Sequence, residues 1–412
     1  MTHILIINQH GENRGDEAAM RAMLAAFAAE VPGVTFTLLY QFRDRALRLR
    51  FKESVEDLPI VLPATSYLRG AIFTLFKAVG MDAQSLLPPI LRRIMAAYKR
   101  ANLIVSAPGG PYFGDIYVNH ELLHWWYVLL GRLFKKPLFL YAPSAGPFRT
   151  VWMNPIRKWL YPKFDVLVSR EELSAQYIRD LLGGGVCVHV TADSAIQSSF
   201  PPYPRSAYFT GARTPLRELF LVAVSLNDYR YPGSADPAAM KASYDAAMVK
   251  LLTDLAQRVK AHFLFLPQLY GSAHGDEPYL RRVAERLPHD ASWEVVDPSL
   301  DSDIQRQLFG MCDLHIASRY HPTIFGHVAG VPGLCIYYEH KALGFMQQLG
   351  LERFAFDIRG LRVEALIRAL DEILGQREAL VAQLRARVPL LQQRSARTTS
   401  LALTLLESEE AA

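Results

Sequence analysis

The sequence predicts an α/β protein made of two doubly wound, Rossmann-like domains facing each other across a cleft. Three observations carry that prediction. Apolar runs of about five to eight residues, the length of a buried strand, alternate with amphipathic stretches along the whole chain. Most of these runs are continuously apolar, the pattern of parallel strands covered on both faces. One segment breaks the rhythm: SSFPPYPRSAYFTGARTP (198–215) is rich in proline and small polar residues and has no period, which is the composition of an interdomain linker.

Taken in order, strands are expected at His3–Asn8, Val34–Tyr40, Ile60–Leu62, Leu103–Ala107, Leu138–Ala142, Val166–Ser169 and Val186–Thr191. After the linker they are expected at Leu221–Leu226, Phe263–Pro267, Trp293–Asp297, Leu314–Ser318 and Gly333–Tyr338. Helices fall between them, including Glu17–Ala29, Pro237–Val259 and Val363–Leu374; the second opens with Asp236 as N-cap and Pro237 at its first position. The expected domains are 1–200, a linker at 201–216, a second domain at 217–375 and a helical tail at 376–412.

Composition narrows the class of function. The 45 Lys and Arg residues exceed the 40 Asp and Glu residues by 5 in a chain of 412. That mild bias suits anionic substrates or an anionic membrane surface and falls short of a nucleic-acid footprint. Cys187, Cys312 and Cys335 form no CxxC pair and lie in apolar, strand-like runs, so they read as buried hydrophobes in a reducing compartment. The N-terminal stretch MTHILIINQHGENRGD meets acidic residues too early for a signal peptide, and no apolar run reaches the roughly 18 residues of a spanning helix. A soluble, cytoplasmic protein is expected. Tyr67–Lys99, carrying Arg69, Lys77, Arg92, Arg93 and Lys99, and LLHWWYVLLGRLFKK (122–136) are both apolar and basic. They read either as core helices with a basic outer face or as a surface peripheral to a membrane.

The chemistry gathers at the expected strand ends, where ligands bind in open parallel sheets. The first strand runs into NQHGENRGDEAAM, a glycine turn opening a helix, but without GxGxxG or GKS/GKT spacing. Asp16 and Glu17 fill the first helical turn, where carboxylates satisfy the helix dipole and repel an incoming phosphate. The turn is therefore a hydroxyl site formed by Asn13 and Asp16, unless Asp16 only caps the helix. APGGPYFGD (107–115) supplies Gly109 and Gly110 for close backbone approach, with Asp115 nearby. PSAGPF (143–148) is a similar loop, Arg170 ends the next strand beside Glu171 and Glu172, and Asp193 in TADSA suits an Asx turn. In ASRYHPTIFGHVAGVPGLCIYYEHK (317–341), Arg319 and His321 stand where a buried strand meets a helix, and Lys341 follows the next strand. Arginine matches carboxylate or phosphate bidentately and histidine adds a hydrogen bond or a proton. The implied ligand is a small anion bearing carboxylate, phosphate or both.

Together NRGDEA, GGPYFGD, SAGPF, SRE, TADSA, RYHPTIFGHVAGVP and YEHKALGFMQQLG resemble the polysaccharide pyruvyl transferase family from about residue 3 to about residue 355. The resemblance implies a two-domain architecture similar to GT-B glycosyltransferases, and transfer of the enolpyruvyl carbons of phosphoenolpyruvate onto two hydroxyls of a sugar as a cyclic ketal. It implies an acceptor-side first domain and a donor-side second domain. It carries phosphoenolpyruvate binding onto Arg319 and His321, with Arg170 as a further candidate, and the position of Lys341 after the neighbouring strand adds it to the set. The residue reading assigns acceptor binding to Asn13, Asp16, Gly109, Gly110 and Asp115. Pro111 stands where the family often has a third glycine. On chemical grounds His321 is the proton donor, held protonated by the phosphate beside it, and Asp16 the base. No cofactor is expected beyond phosphoenolpyruvate as co-substrate, and no metal, since no His/Cys/Asp cluster has ligand spacing. The acceptor is a sugar, free, polymeric or lipid-linked. Two other readings share these features: a nucleotide-sugar glycosyltransferase of the same fold, with Glu339 on the ribose, and a non-catalytic carbohydrate-binding protein. A dinucleotide oxidoreductase is disfavoured because no GxGxxG follows any strand.

Overall fold

The computed structural model describes residues 1–40, 49–81, 83–110, 113–115, 118–271 and 275–410. Pro111 and part of the loop at 272–274 lie outside the described residues. The chain packs as two compact units, Met1–Glu12 with Ala19–Gln197 and Gln393–Ala412, and Asn13–Ala18 with Ser198–Gln392. Each unit is built on one sheet whose paired strands all run parallel.

The first sheet contains β1 (His3–Gln9), β2 (Thr35–Tyr40), β3 (Val55–Pro59), β4 (Leu103–Ser106), β5 (Leu138–Leu140), β6 (Val166–Ser169) and β7 (Val188–Val190) in the order β3-β2-β1-β4-β5-β6-β7. β1 is buried at every position, and its alternate residues feed two cores. Leu5 and Ile7 pack on the side of α2 (Ala64–Ala78), α3 (Pro89–Arg100), α4 (Val118–Leu133), α5 (Asn154–Leu160) and α6 (Glu172–Leu182). Ile4 and Ile6 pack with Met20, Met23, Leu24 and Phe27 of α1 (Arg14–Glu30) and with Ala402 and Leu406 near the chain's end. This two-sided burial is why the strand reads as an unbroken apolar run.

The second sheet contains β8 (Phe220–Ser225), β9 (Ala261–Phe265), β10 (Ser292–Val295), β11 (Leu314–Ala317), β12 (Gly333–Tyr337) and β13 (Ala355–Asp357), ordered β10-β9-β8-β11-β12-β13. Its helices follow the short turn α7 (Arg205–Tyr208): α8 (Pro237–Arg258), α9 (Glu277–Ala284), α10 (Ser302–Met311), α11 (Tyr320–Val328), α12 (His340–Leu349) and α13 (Val363–Gly375). Asp236 caps α8 as expected, its Oδ1 accepting from Ala239 N at 2.9 Å. The last helix, α14 (Arg377–Glu410), gives its first half to the second unit and its remainder to the first. Within the first unit Thr398 and Thr399 pair with Thr191 and Tyr141 at 2.7 and 2.6 Å, and Ser395 donates to the Asp193 carbonyl at 2.7 Å.

Several expectations need correction. The third strand is Val55–Pro59, not Ile60–Leu62; an edge strand carrying Glu56 and Asp57 has no continuous apolar run. β13 is three residues long and left no run to find. The linker segment is anchored, with Arg205 Nη2 on Asp313 Oδ2 at 2.7 Å. Asn13–Ala18 pack with the second unit and not the first. Cys187 is exposed because it precedes the edge strand β7, whereas Cys312 and Cys335 are buried. Among the described residues no helix is long and apolar enough to cross a membrane.

Candidate functional site

In the second sheet the order reverses direction between β8 and β11, which lie side by side. This is the switch point where open α/β sheets bind ligands. Ser318, just past β11, draws the two strand ends together: its Oγ accepts from Asn227 N at 2.6 Å and from Tyr244 Oη at 2.8 Å. Arg319 follows in extended conformation before α11, leaving its side chain 12% exposed. Its Nη2 donates to Asp276 Oδ1 at 2.5 Å. Asp276 is itself fixed, because its Oδ2 accepts from Gln268 N at 3.0 Å and Leu269 N at 2.9 Å. Beside this pair opens a cavity of about 340 Å³ to which Arg230, Arg282 and Arg319 bring three guanidiniums and Asp228 and Asp276 two carboxylates. Arg282 and Asp228 approach to 3.8 Å.

His321 occupies the first turn of α11 and is 7% exposed. Its neighbour in space is the glycine of NRGD: a Cβ placed on Gly15 would lie 1.9 Å from His321 Nδ1 and 2.4 Å from its Cβ. The backbone of the NRGD turn therefore rests on the imidazole, and only glycine permits that approach. The turn is held from several sides. Asn13 bridges to Leu269, Arg14 N donates to the Gln268 carbonyl at 3.0 Å, and Arg14 lies 3.7 Å over the Tyr270 ring. Arg14 also pairs with Glu17 at 2.7 Å and donates to the Pro298 carbonyl at 2.8 Å. Asn13 Oδ1 accepts from Gly15 N at 2.8 Å, so the side chain of Asn13 organises the turn. Asp16, buried, is the next residue after Gly15.

Lys341 belongs to the same neighbourhood. It pairs with Glu339 at 2.5 Å and its Nζ lies 5.7 Å from the Tyr320 ring, whose centroid is 5.0 Å from that of His321. Asn13, Asp16, Arg319, His321 and Lys341 are thus all in the second unit. Beneath them His315 and His327 pack edge to face at 4.5 Å. Burial, and for His315 the second imidazole, lowers both: His327 falls to about 4 and His315 well below its usual range.

The remaining candidates lie in the first unit. Gly109 and Gly110 follow β4 next to β1, the switch point of that sheet, and Gly109 accepts from Ser144 N. Arg170 does not stay at the surface with its sequence neighbours Glu171 and Glu172. It is fully buried, with Nη1 on Asp193 Oδ2 at 2.5 Å, Nε on Ser144 Oγ at 2.8 Å, and Glu171 3.9 Å away. Asp193 also makes the expected Asx turn, accepting from Ala195 N at 2.8 Å. Asp115 is held by partners within its own unit. Its Oδ1 takes Arg157 Nη2 at 2.9 Å, and its Oδ2 takes Thr150 N at 3.0 Å and Arg149 N. Burial raises its pKa, but the Arg157, Thr150 and Arg149 donors outweigh that and hold the carboxyl below its usual range. Arg157 in turn pairs with buried Glu121 at 2.7 Å.

Sequence reasoning missed Asp276, Arg230, Arg282 and Arg14. Asp276 and Arg230 had a signal, since both follow expected strands, but nothing local marks their convergence on Arg319. Among the described residues no group of three or more His, Cys, Asp or Glu side chains is arranged to hold a metal ion.

The model of the polysaccharide pyruvyl transferase family matches residues 13–340. The amylovoran biosynthesis protein AmsJ of Erwinia amylovora is 24% identical over 411 residues, which span 92% of this chain and 94% of that protein. Among solved structures, Anabaena Alr3699/HepE in complex with UDP-glucose superposes with a TM-score of 0.58 at 12% identity over the full length of both chains. UDP-GlcNAc 2-epimerase from Neisseria meningitidis, bound to UDP-GlcNAc, superposes with 0.57 at 10% identity, covering 98% of this chain and all of that one. At these identities the likeness is one of fold: two Rossmann-like domains of the GT-B kind.

Proposed function

Since the chain belongs to the polysaccharide pyruvyl transferase family, we propose that it transfers the pyruvyl group of phosphoenolpyruvate onto two hydroxyls of a sugar in surface-polysaccharide biosynthesis. The observation that carries this reading is the cationic cavity at the β8/β11 switch point, with Arg319 fixed on Asp276 and His321 two residues on. At about 340 Å³ it sits at the small end of ligand sites, which run roughly 300–1,000 Å³. A compact anion suits it better than a nucleotide sugar does. Three guanidiniums against two carboxylates leave positive charge for a ligand whose carboxylate and phosphate lie on one carbon.

In the proposed reaction, His321 protonates the methylene carbon of phosphoenolpyruvate and positive charge develops at the central carbon. A sugar hydroxyl attacks there, losing its proton to Asp16. The C–O bond to phosphate then breaks, and the second hydroxyl closes the ketal. Of the two hydroxyl protons one replaces the proton given by His321 and the other leaves on phosphate, so the sum is ketal plus inorganic phosphate. Gly15 brings the backbone next to Asp16 against His321, which supports placing acid and base at one centre. Arg319 and Lys341 hold the anion, and Gly109 and Gly110 are kept as acceptor-side backbone. Arg170, buried on Asp193, acts as a positioning residue for the Ser144 loop. The glycosyltransferase alternative asks Glu339 to take a ribose; Lys341 already engages that carboxylate.

A thermal-shift titration with phosphoenolpyruvate, beside UDP- and GDP-sugars, tests the reading. A ligand at a hundredfold its Kd stabilises the native state by about 2.7 kcal/mol. A rise with phosphoenolpyruvate that vanishes in Arg319→Ala is expected; a rise with a nucleotide sugar alone overturns it.

A further inference from the structure

We propose that the helical layer α2–α5 of the first unit is a docking surface for an anionic lipid membrane. All exposed large hydrophobic side chains among the described residues, apart from Met1 and Leu390, lie between Val61 and Leu173. They belong to the layer that covers one face of the first sheet. Leu68, Ile72, Leu75 and Val79 recur along α2 and its C-cap at helical spacing, and are 65, 38, 71 and 72% exposed. Around α5, Val151, Trp152, Ile156 and Trp159 are 78, 66, 36 and 54% exposed. Meanwhile α4, the other apolar and basic stretch, is mostly core: Trp125, Tyr127, Val128 and Leu130 are buried. So the exposed apolar residues are a selected set and not the general texture of the layer. A helix stripe and a pair of tryptophans left in water on one layer mark an interaction surface.

Charge identifies the occupant. Residues 61–100 contain Arg69, Lys77, Arg92, Arg93, Lys99 and Arg100 against Asp82 alone, although Arg93 and Arg100 pair with Glu56. Residues 147–163 carry Arg149, Lys158 and Lys163 with no carboxylate, Arg157 being buried on Asp115 and Glu121. Arg69, Arg92, Lys99, Arg149 and Lys158 are exposed among the apolar side chains. Lys163 lies 4.9 Å over the Trp159 ring. A cavity of about 380 Å³ is lined by Arg149, Asn154, Lys158 and Tyr177 together with one carboxylate, Asp180, and offers two cations to a phosphate headgroup. Apolar side chains interleaved with cations, with tryptophans at the boundary, are what an interfacial layer of anionic lipid selects. A second copy of the chain would bring the same positive charge to meet itself. The inference is independent of the proposed reaction, since none of these residues belongs to that site.

Co-sedimentation of the purified full-length chain with sucrose-loaded vesicles tests it. The vesicles are phosphatidylcholine, alone or with about one quarter phosphatidylglycerol. Binding is expected only to the anionic vesicles, with release at about 1 M salt, where charge is screened within about 3 Å. The doubly substituted Trp152→Glu/Trp159→Glu chain and, separately, Leu75→Glu are each expected to lower the partition coefficient about tenfold or more. All three sites are exposed, so an unchanged melting temperature and circular dichroism spectrum should accompany the loss. Equal binding to both vesicle types, no binding at all, or unchanged binding by the variants overturns the proposal. So does a dimer in light scattering that W152E/W159E dissolves, since the layer would then belong to a second copy.

Discussion

Replacing Gly15 by alanine puts the proposed centre under direct strain. The new Cβ would lie 2.1 Å from His321 Cγ and 2.4 Å from His321 Cβ. Rotating the imidazole away relieves the contacts to the ring but not the one to Cβ, which moves only with the backbone of α11. Restoring an ordinary contact of 3.4 Å therefore displaces the NRGD turn or the first turn of α11 by about 1 Å. A misplacement of that size costs about a hundredfold in rate when the groups are catalytic. The loss in stability should be smaller, about 1–3 kcal/mol for overpacking, partly offset by the better helix propensity of alanine. The assay is phosphate release from phosphoenolpyruvate with a sugar acceptor, read beside a urea melt. Turnover of Gly15→Ala within threefold of the parent chain would refute the reasoning: His321 and the turn carrying Asp16 would then have no need of their spacing.

Other expectations follow from the same geometry. Asp276→Asn should raise the KM for phosphoenolpyruvate about tenfold with little change in kcat, and should cost about 2 kcal/mol of stability, because Arg319 loses the acceptor that aims it; a fall in kcat alone would assign Asp276 elsewhere. Asp16→Asn should lower kcat by about 10²-fold or more with phosphoenolpyruvate affinity kept; an unchanged rate leaves Asp16 only its place at the helix dipole. The buried pair His315 and His327 makes the second unit acid-sensitive. Their folded pKa values lie below the 6.5 of the unfolded chain, so the unfolded state binds more protons between them, and stability present above pH 6.5 is lost as pH falls. For His327, at about 4, the loss from pH 7 to pH 5 is about 2 kcal/mol. Urea melts at the two pH values read it, and His327→Gln should flatten the slope; parallel slopes would rule the pair out as its source.

The sequence spoke most clearly where both faces of an element are covered. β1, β4 and β11 are buried throughout, and β8 from its second residue on, so their unbroken apolar runs were legible, and so were the strand ends that carry Arg319 and His321. Edge strands escaped because pairing on one side leaves room for charges, as in VEDLP of β3. Within the site, the identity of single residues was readable while their partnerships were not. Arg170 and Asp115 stand at strand-end loops like ligand residues, yet Asp193 and Arg157, far along the chain, make them internal anchors. The glycine of NRGD looked like turn punctuation, and only the imidazole of His321 explains it. The exposed stripe on α2 and the buried one on α4 have similar composition; what separates them is which helix the sheet and its neighbours cover.

Neither compact unit is a continuous piece of chain. A ribosome releases residues in order, so the first sheet is complete long before Ala402 and Leu406, which belong to one of its two cores, have been made. Until then, Ile4, Ile6, Phe139 and their neighbours have one flank open to water. The second unit has the opposite history: its segment Asn13–Ala18 emerges early and waits for Gln268, Leu269 and Tyr270 to arrive. Residues made late therefore close the first-built half, and cutting the gene at the proline-rich segment would leave two fragments that each lack a strip of their own interior.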